Sequence, residues 1–99
     1  MKKPKRFQVK LSAEAQADIR KITQYLLDND FDPAIAGRIR DTAAEKLSTK
    51  ALSNPIYRKT DDMEIRKILV LRKNVVHYFV KDNLAVILQI RAGGMKERF

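Results

Sequence analysis

Four polar side chains stand out in an otherwise apolar stretch near the end of the chain, IRKILVLRKNVVHYFVKDNLAVILQIR from Ile65 to Arg91: Lys67, His77, Gln89 and Arg91. His77 is the only histidine, and an imidazole is the one side chain whose ordinary pKa lets it act as acid or base near neutral pH. Lys67 and Arg91 are cations of the kind that hold phosphate, and the chain as a whole carries a net charge of +9. Such a charge attracts phosphate backbones or acidic partners. These residues form a site only if the fold gathers them.

The stretch reads as three strands joined by tight turns at Arg72–Asn74 and Lys81–Asn83, an antiparallel meander. With three residues in each loop, Leu71 opposes Val75 and Val80 opposes Leu84. One face then collects Ile68, Val70, Val76, Tyr78, Val80, Leu84, Val86, Leu88 and Ile90, with Arg66 at its end. That face is the core. The other face collects Ile65, Lys67, Leu69, Leu71, Val75, His77, Phe79, Ala85, Ile87, Gln89 and Arg91, so all four polar residues share one side. Leu69, Leu71, Phe79 and Ile87 make this side too apolar for free water, and they are the candidates for contact with a protein partner.

Upstream, Arg6 to Leu11 alternates as a short strand. Ser12 is an N-cap, followed by an amphipathic helix with Ala15, Ile19, Ile22 and Leu26 on one face and Asp18, Arg20, Lys21 and Gln24 elsewhere. Asp32-Pro33 restarts a second helix with Ala36, Ile39, Ala43 and Leu47 as its apolar stripe, ending near Leu52 because Pro55 disfavours helix at Asn54. The short connection makes the pair an antiparallel hairpin. Ile56 to Glu64 reads as a polar loop. The fold class is α+β: an N-terminal strand, a helical hairpin and a three-stranded meander, with the helices on one sheet face. Residues 7–99 form a single domain, and residues 1–6 a basic arm.

Composition narrows the chemistry. There is no cysteine, which excludes disulfides, thiolate nucleophiles and thiolate metal sites and suits a reducing cytoplasm. MKKPKR is followed by no apolar segment, so a signal peptide is not expected. No run approaches the ~18 apolar residues of a membrane span, so no membrane partner is expected. One histidine without clustered carboxylates is a poor metal site, and Asp61, Asp62 and Glu64 read as a solvated turn. Gly93-Gly94 alone makes no phosphate loop. No metal and no cofactor are expected. Arg66, Lys96, Arg98 and Phe99 are candidates for phosphate or target binding.

VKLSAEAQADIRKITQYL, the second helix opening with Asp32-Pro33-Ala34, and IRKILVLRKNVVHYFV followed by a last strand resemble the RelE/ParE superfamily, toxins of bacterial type II toxin–antitoxin modules of the plasmid-stabilisation type. The resemblance covers roughly Phe7 to Phe99 and rests on element order and pattern. It implies a growth-inhibiting protein silenced by a cognate antitoxin that wraps it. RelE-type members cut mRNA in the ribosome without a metal; ParE-type members poison DNA gyrase. RNA cleavage needs a base for the 2′-hydroxyl, an acid for the leaving oxygen and cations for the crowded phosphate. The resemblance puts Lys67 at a basic strand position and Arg91 at the late arginine, with His77 as a candidate acid or base. Val75 stands where a basic residue would open the next strand, Phe99 replaces a late tyrosine, and the tail RAGGMKERF has no histidine. That incomplete set leans toward a ParE-like mechanism, with an mRNA endonuclease and a non-toxic nucleic-acid-binding module as alternatives.

Overall fold

The structure is a computed structural model and describes residues 6–93. Most of the basic arm, together with Lys96, Arg98 and Phe99, lies outside the described residues. Strand β1 (Gln8–Leu11) ends where Ser12, in extended backbone, opens helix α1 (Ala13–Asp28). The Ser12 hydroxyl accepts from the Ala15 amide at 3.1 Å, satisfying a donor that the helix itself leaves free. Its amide donates to Ile87 and its hydroxyl to the Leu88 carbonyl, so one residue ties the helix start to the last strand.

Helix α1 buries Ala15, Ile22 and Leu26 as the periodicity predicts, but also Asp18. The sequence reading left Asp18 off this face. Its carboxylate accepts from the Ile90 amide at 2.9 Å, where β1 has already ended and the edge of the last strand needs another partner. Helix α2 (Ala34–Lys50) starts after Pro33 in helical backbone, with the Asp32 carboxylate accepting from the Ala34 amide at 2.9 Å. It buries Ala36, Ile39, Ala43 and Leu47.

The segment read as a loop after Pro55 contains a strand, β2 (Ile56–Lys59), which pairs antiparallel with β3 (Glu64–Val70). A turn closes the hairpin, with the Thr60 amide donating to the Met63 carbonyl at 2.8 Å. All four residues of β2 are exposed, so the strand has no alternation to announce it. β4 (Asn74–Lys81) and β5 (Leu84–Arg91) complete a sheet of order β1-β5-β4-β3-β2 among the described residues. β1 is parallel to β5 and the other pairs are antiparallel.

Between β3 and β4 the expected Leu71–Val75 pairing is not made: Leu69 faces Val75 and Val70 faces Asn74, a shift of two residues that keeps the expected faces while Leu71 leaves the ladder. Leu71 and Arg72 turn with φ of 50° and 76°, a left-handed conformation costing about 1–2 kcal/mol per residue. The buried Asn74 amide holds this turn: it donates to the Val70 carbonyl and accepts from the Gly93 amide.

Between β4 and β5 the expected register fails. The turn is Asp82–Asn83, with Asp82 at φ 56°, and Val80 faces Ala85 rather than Leu84. This one-residue slip turns Ala85 and Ile87 into the core, both fully buried, and leaves Leu84, Val86 and Leu88 only half-buried. A bulge then restores the parity: Tyr78 faces Ile87, but His77 faces Gln89, with Leu88 as the extra residue. The helices pack on the face formed by Val70, Val76, Tyr78, Ile87 and Ile90. Tyr78 is fully buried; its hydroxyl donates to the Ala51 carbonyl and accepts from the Asn54 amide, which anchors the end of α2 to the sheet.

Candidate functional site

The open face of the sheet carries a row of three directly opposed residues, Lys67 on β3, His77 on β4 and Gln89 on β5. Arg91 lies one row along, opposite Val75. The sequence reading gathered these four residues on one face, and the structure does so too. The bulge at Leu88 is the physical reason: had the slipped register continued, Gln89 and Arg91 would have turned into the core.

A residue absent from the sequence reading joins them. Tyr57 sits in a register shift of β2, between Ile56 opposite Arg66 and Arg58 opposite Ile65. The irregularity turns both Tyr57 and Arg58 toward the open side. The Tyr57 ring leans on the His77 imidazole, with centroids 4.6 Å apart and planes tilted by 44°. The Lys67 ammonium lies 5.4 Å from the same ring, within cation–π range. The one signal available was composition: an aromatic beside two basic residues in Ile56–Lys59.

Tyr57, Arg58, Ile65, His77, Leu88 and Gln89, with Glu14 from the first turn of α1, line an open cleft of about 360 Å³. Burial pushes the His77 pKa below its ordinary 6.5, and the positive charges of Arg91 and then Lys67 push it the same way. A hydrogen bond with the Gln89 side chain favours the protonated form and opposes them. The net direction is downward, toward the neutral form, and the side chain is buried, at 5% exposure. It borders the cleft with cations beside it.

Other candidates fall elsewhere. Arg66 points to the helix side, where its guanidinium donates to the Asn54 carbonyl at 2.6 Å and reaches Glu64 at 3.4 Å, so it braces the loop after α2 and is not part of the cleft. Ile87 is fully buried in the core and is not available to a partner, which corrects the sequence expectation. Phe79 is half-buried on the open face, opposite Val86. Leu69 and Leu71 are 57% and 45% exposed. Leu71 also borders an apolar groove of about 340 Å³ between the helix ends and the β3–β4 turn, shared with Tyr25, Leu26, Phe31 and Ile35. Among the described residues, no three histidine or acidic side chains cluster as metal ligands, and no helix is long and apolar enough to cross a membrane.

No family model matches the chain, and no curated protein matches it. Solved structures do match. A chain of the chromosomal ParDE toxin–antitoxin system of P. aeruginosa superposes with a TM-score of 0.65 at 18% identity, over 88% of this chain and 96% of its own. A chain of the RelBE2 toxin–antitoxin complex of Mycobacterium tuberculosis gives the same score and identity, over 96% of this chain and 100% of its own. A conserved hypothetical protein of Helicobacter pylori follows with a TM-score of 0.52 at 19% identity, over 87% of this chain and 93% of its own. The chain has the RelE/ParE toxin fold.

Proposed function

We propose that this protein is the toxin of a type II toxin–antitoxin module, acting in the cytoplasm as a metal-independent mRNA endonuclease. The observation that carries the reading is the placement of His77 beside Lys67, Arg91 and the Tyr57 ring, at the border of one open cleft. An unprotonated imidazole can take a proton, and cations stabilise a phosphate whose charge grows as it is attacked.

The step these groups suit is internal transesterification. His77 takes the proton of the 2′-hydroxyl, and the 2′-oxygen attacks the adjacent phosphorus. The bond from phosphorus to the 5′-oxygen breaks, leaving a 2′,3′-cyclic phosphate and a 5′-hydroxyl. Arg91 neutralises the five-coordinate phosphate, and the Lys67 ammonium gives its proton to the departing oxygen. The lean toward gyrase drawn from the sequence rested on the absent late tyrosine and the missing cation at Val75. It rested also on a tail without histidine; Tyr57, beside His77 and Lys67 at the cleft, is the one group that the sequence reading lacked, and it supports cleavage.

An acidic, partly apolar antitoxin is the partner that such a surface calls for. Leu69 and Leu71 are exposed apolar side chains on a protein of charge +9, and the groove holding Leu71 and Phe31 continues that surface around the edge. The same exposed leucines also suit docking on a protein target such as gyrase, which keeps that as the second reading. Cell-free translation with purified protein, followed by mapping of mRNA ends, separates the two. Cuts on translated message that vanish in His77→Ala support the nuclease. Intact message, with DNA gyrase arrested in a supercoiling assay, replaces it with the second reading.

A further inference from the structure

We infer that Tyr57 is the platform on which an unpaired nucleobase of the substrate stacks, beside the phosphate to be cut; this rests on the nuclease reading above. Tyr57 is 56% exposed and belongs to a strand that pairs on one side only. Two groups already contact the ring: the His77 imidazole, with centroids 4.6 Å apart, and the Lys67 ammonium, 5.4 Å from its centroid. These contacts hold the ring, so a base landing on it meets a surface that has little freedom left to lose. The exposed part of the ring is open to solvent at the rim of the cleft.

The backbone is built to place it there. A regular β2 would turn only one of Tyr57 and Arg58 toward the open face. The register shift turns both, so an aromatic and a cation line the cleft side by side, with Lys67 under the ring. Aromatic rings interleaved with backbone-tracking cations are what single-stranded nucleic acid binds, because every base offers a π-face and every linkage a charge. A paired base is already stacked on both faces, so the target nucleotide must be unpaired. The contact reads no base edge, and the platform therefore tolerates any of the four bases.

A trinucleotide with 2′-O-methyl riboses cannot be cut, and 2-aminopurine at its centre loses fluorescence when it stacks. Wild type and Tyr57→Phe quench this probe alike. Tyr57→Leu binds it about tenfold or more weakly, in line with the measured worth of base–aromatic stacking, and does not quench it. The single His77 resonance in NMR shows whether the site is otherwise intact in that variant. A wild-type protein that leaves the probe's fluorescence unchanged, or a Tyr57→Leu variant that quenches it equally, overturns the stacking. A wild type that quenches the probe but cuts no message overturns the nuclease reading separately.

Discussion

Replacing Ile87 by alanine tests the slip in β5 directly. Ile87 is fully buried opposite Tyr78, whereas its neighbour Val86 is half-buried opposite Phe79 on the open face. Ile87→Ala removes three carbons, worth about 2.4 kcal/mol at ~0.8 kcal/mol per methylene, and the cavity left in a packed core raises this to roughly 3–4 kcal/mol. Val86→Ala removes two carbons from a site already half in water, so it costs about 1 kcal/mol or less. Against a total stability of roughly 5–15 kcal/mol the first change is severe, lowering the melting temperature by about 4–8 °C for each kcal/mol. Urea unfolding followed by circular dichroism reads both variants. A regular three-residue hairpin reverses the order, because it puts Val86 in the core and Ile87 outside. If Ile87→Ala costs under about 1 kcal/mol and Val86→Ala more, the slipped register is refuted, and with it the need for a bulge at Leu88.

Three further predictions concern the open face. His77 is the only histidine, so its proton resonance can be followed alone: its midpoint should lie below 6.5 and move upward in Arg91→Gln, which removes a cation that opposes protonation. A midpoint unmoved by that change would remove Arg91 from the site. The same direction sets the stability. The unfolded chain binds the proton more readily than the folded one, so stability falls as pH drops from 6.5 toward the folded midpoint, and His77→Gln should flatten that part of the curve. Leu69→Asp, at an exposed position, should leave the melting temperature nearly unchanged. If Leu69 anchors the antitoxin, it should also weaken that complex by about 2 kcal/mol, or roughly 30-fold, in calorimetry. Undiminished affinity would move the antitoxin off this face.

The helices were legible because their signals are local. Ser12 and Asp32-Pro33 mark starts that the structure uses, and the apolar spacing fixes which face of each helix is buried. Asp18 escaped because it reads as surface, and its role is visible only once Ile90 lies beside it. β2 escaped for a different reason. An edge strand exposed on every residue needs no apolar alternation, and its pairing is decided by backbone groups that carry no residue identity. The slip in β5 escaped because Leu84 to Leu88 is apolar throughout. Either register fills the core from such a run, so the pattern could not choose, and the choice passed to a turn in which Asp82 adopts left-handed backbone.

That the sequence still gathered Lys67, His77, Gln89 and Arg91 correctly is the result of two departures that cancel. The short turn shifts β5 by one residue and the bulge at Leu88 shifts it back before Gln89. The alternative would turn Arg91 into an apolar core, at a cost of several kcal/mol for an unpaired buried charge; a bulge forfeits one ladder position at most. Alternation therefore recovers the end of the strand although it fails in the middle. Tyr57 has no such second error to rescue it, because the irregularity in β2 occurs once and nothing downstream reverses it. Both breaks in the ladder border the His77 row, one on each side of the sheet. Strand periodicity predicts side-chain direction only where the ladder is regular, and here the residues that need a special direction are the ones the irregularities supply. Two of the places where the sequence pattern fails therefore border the His77 row.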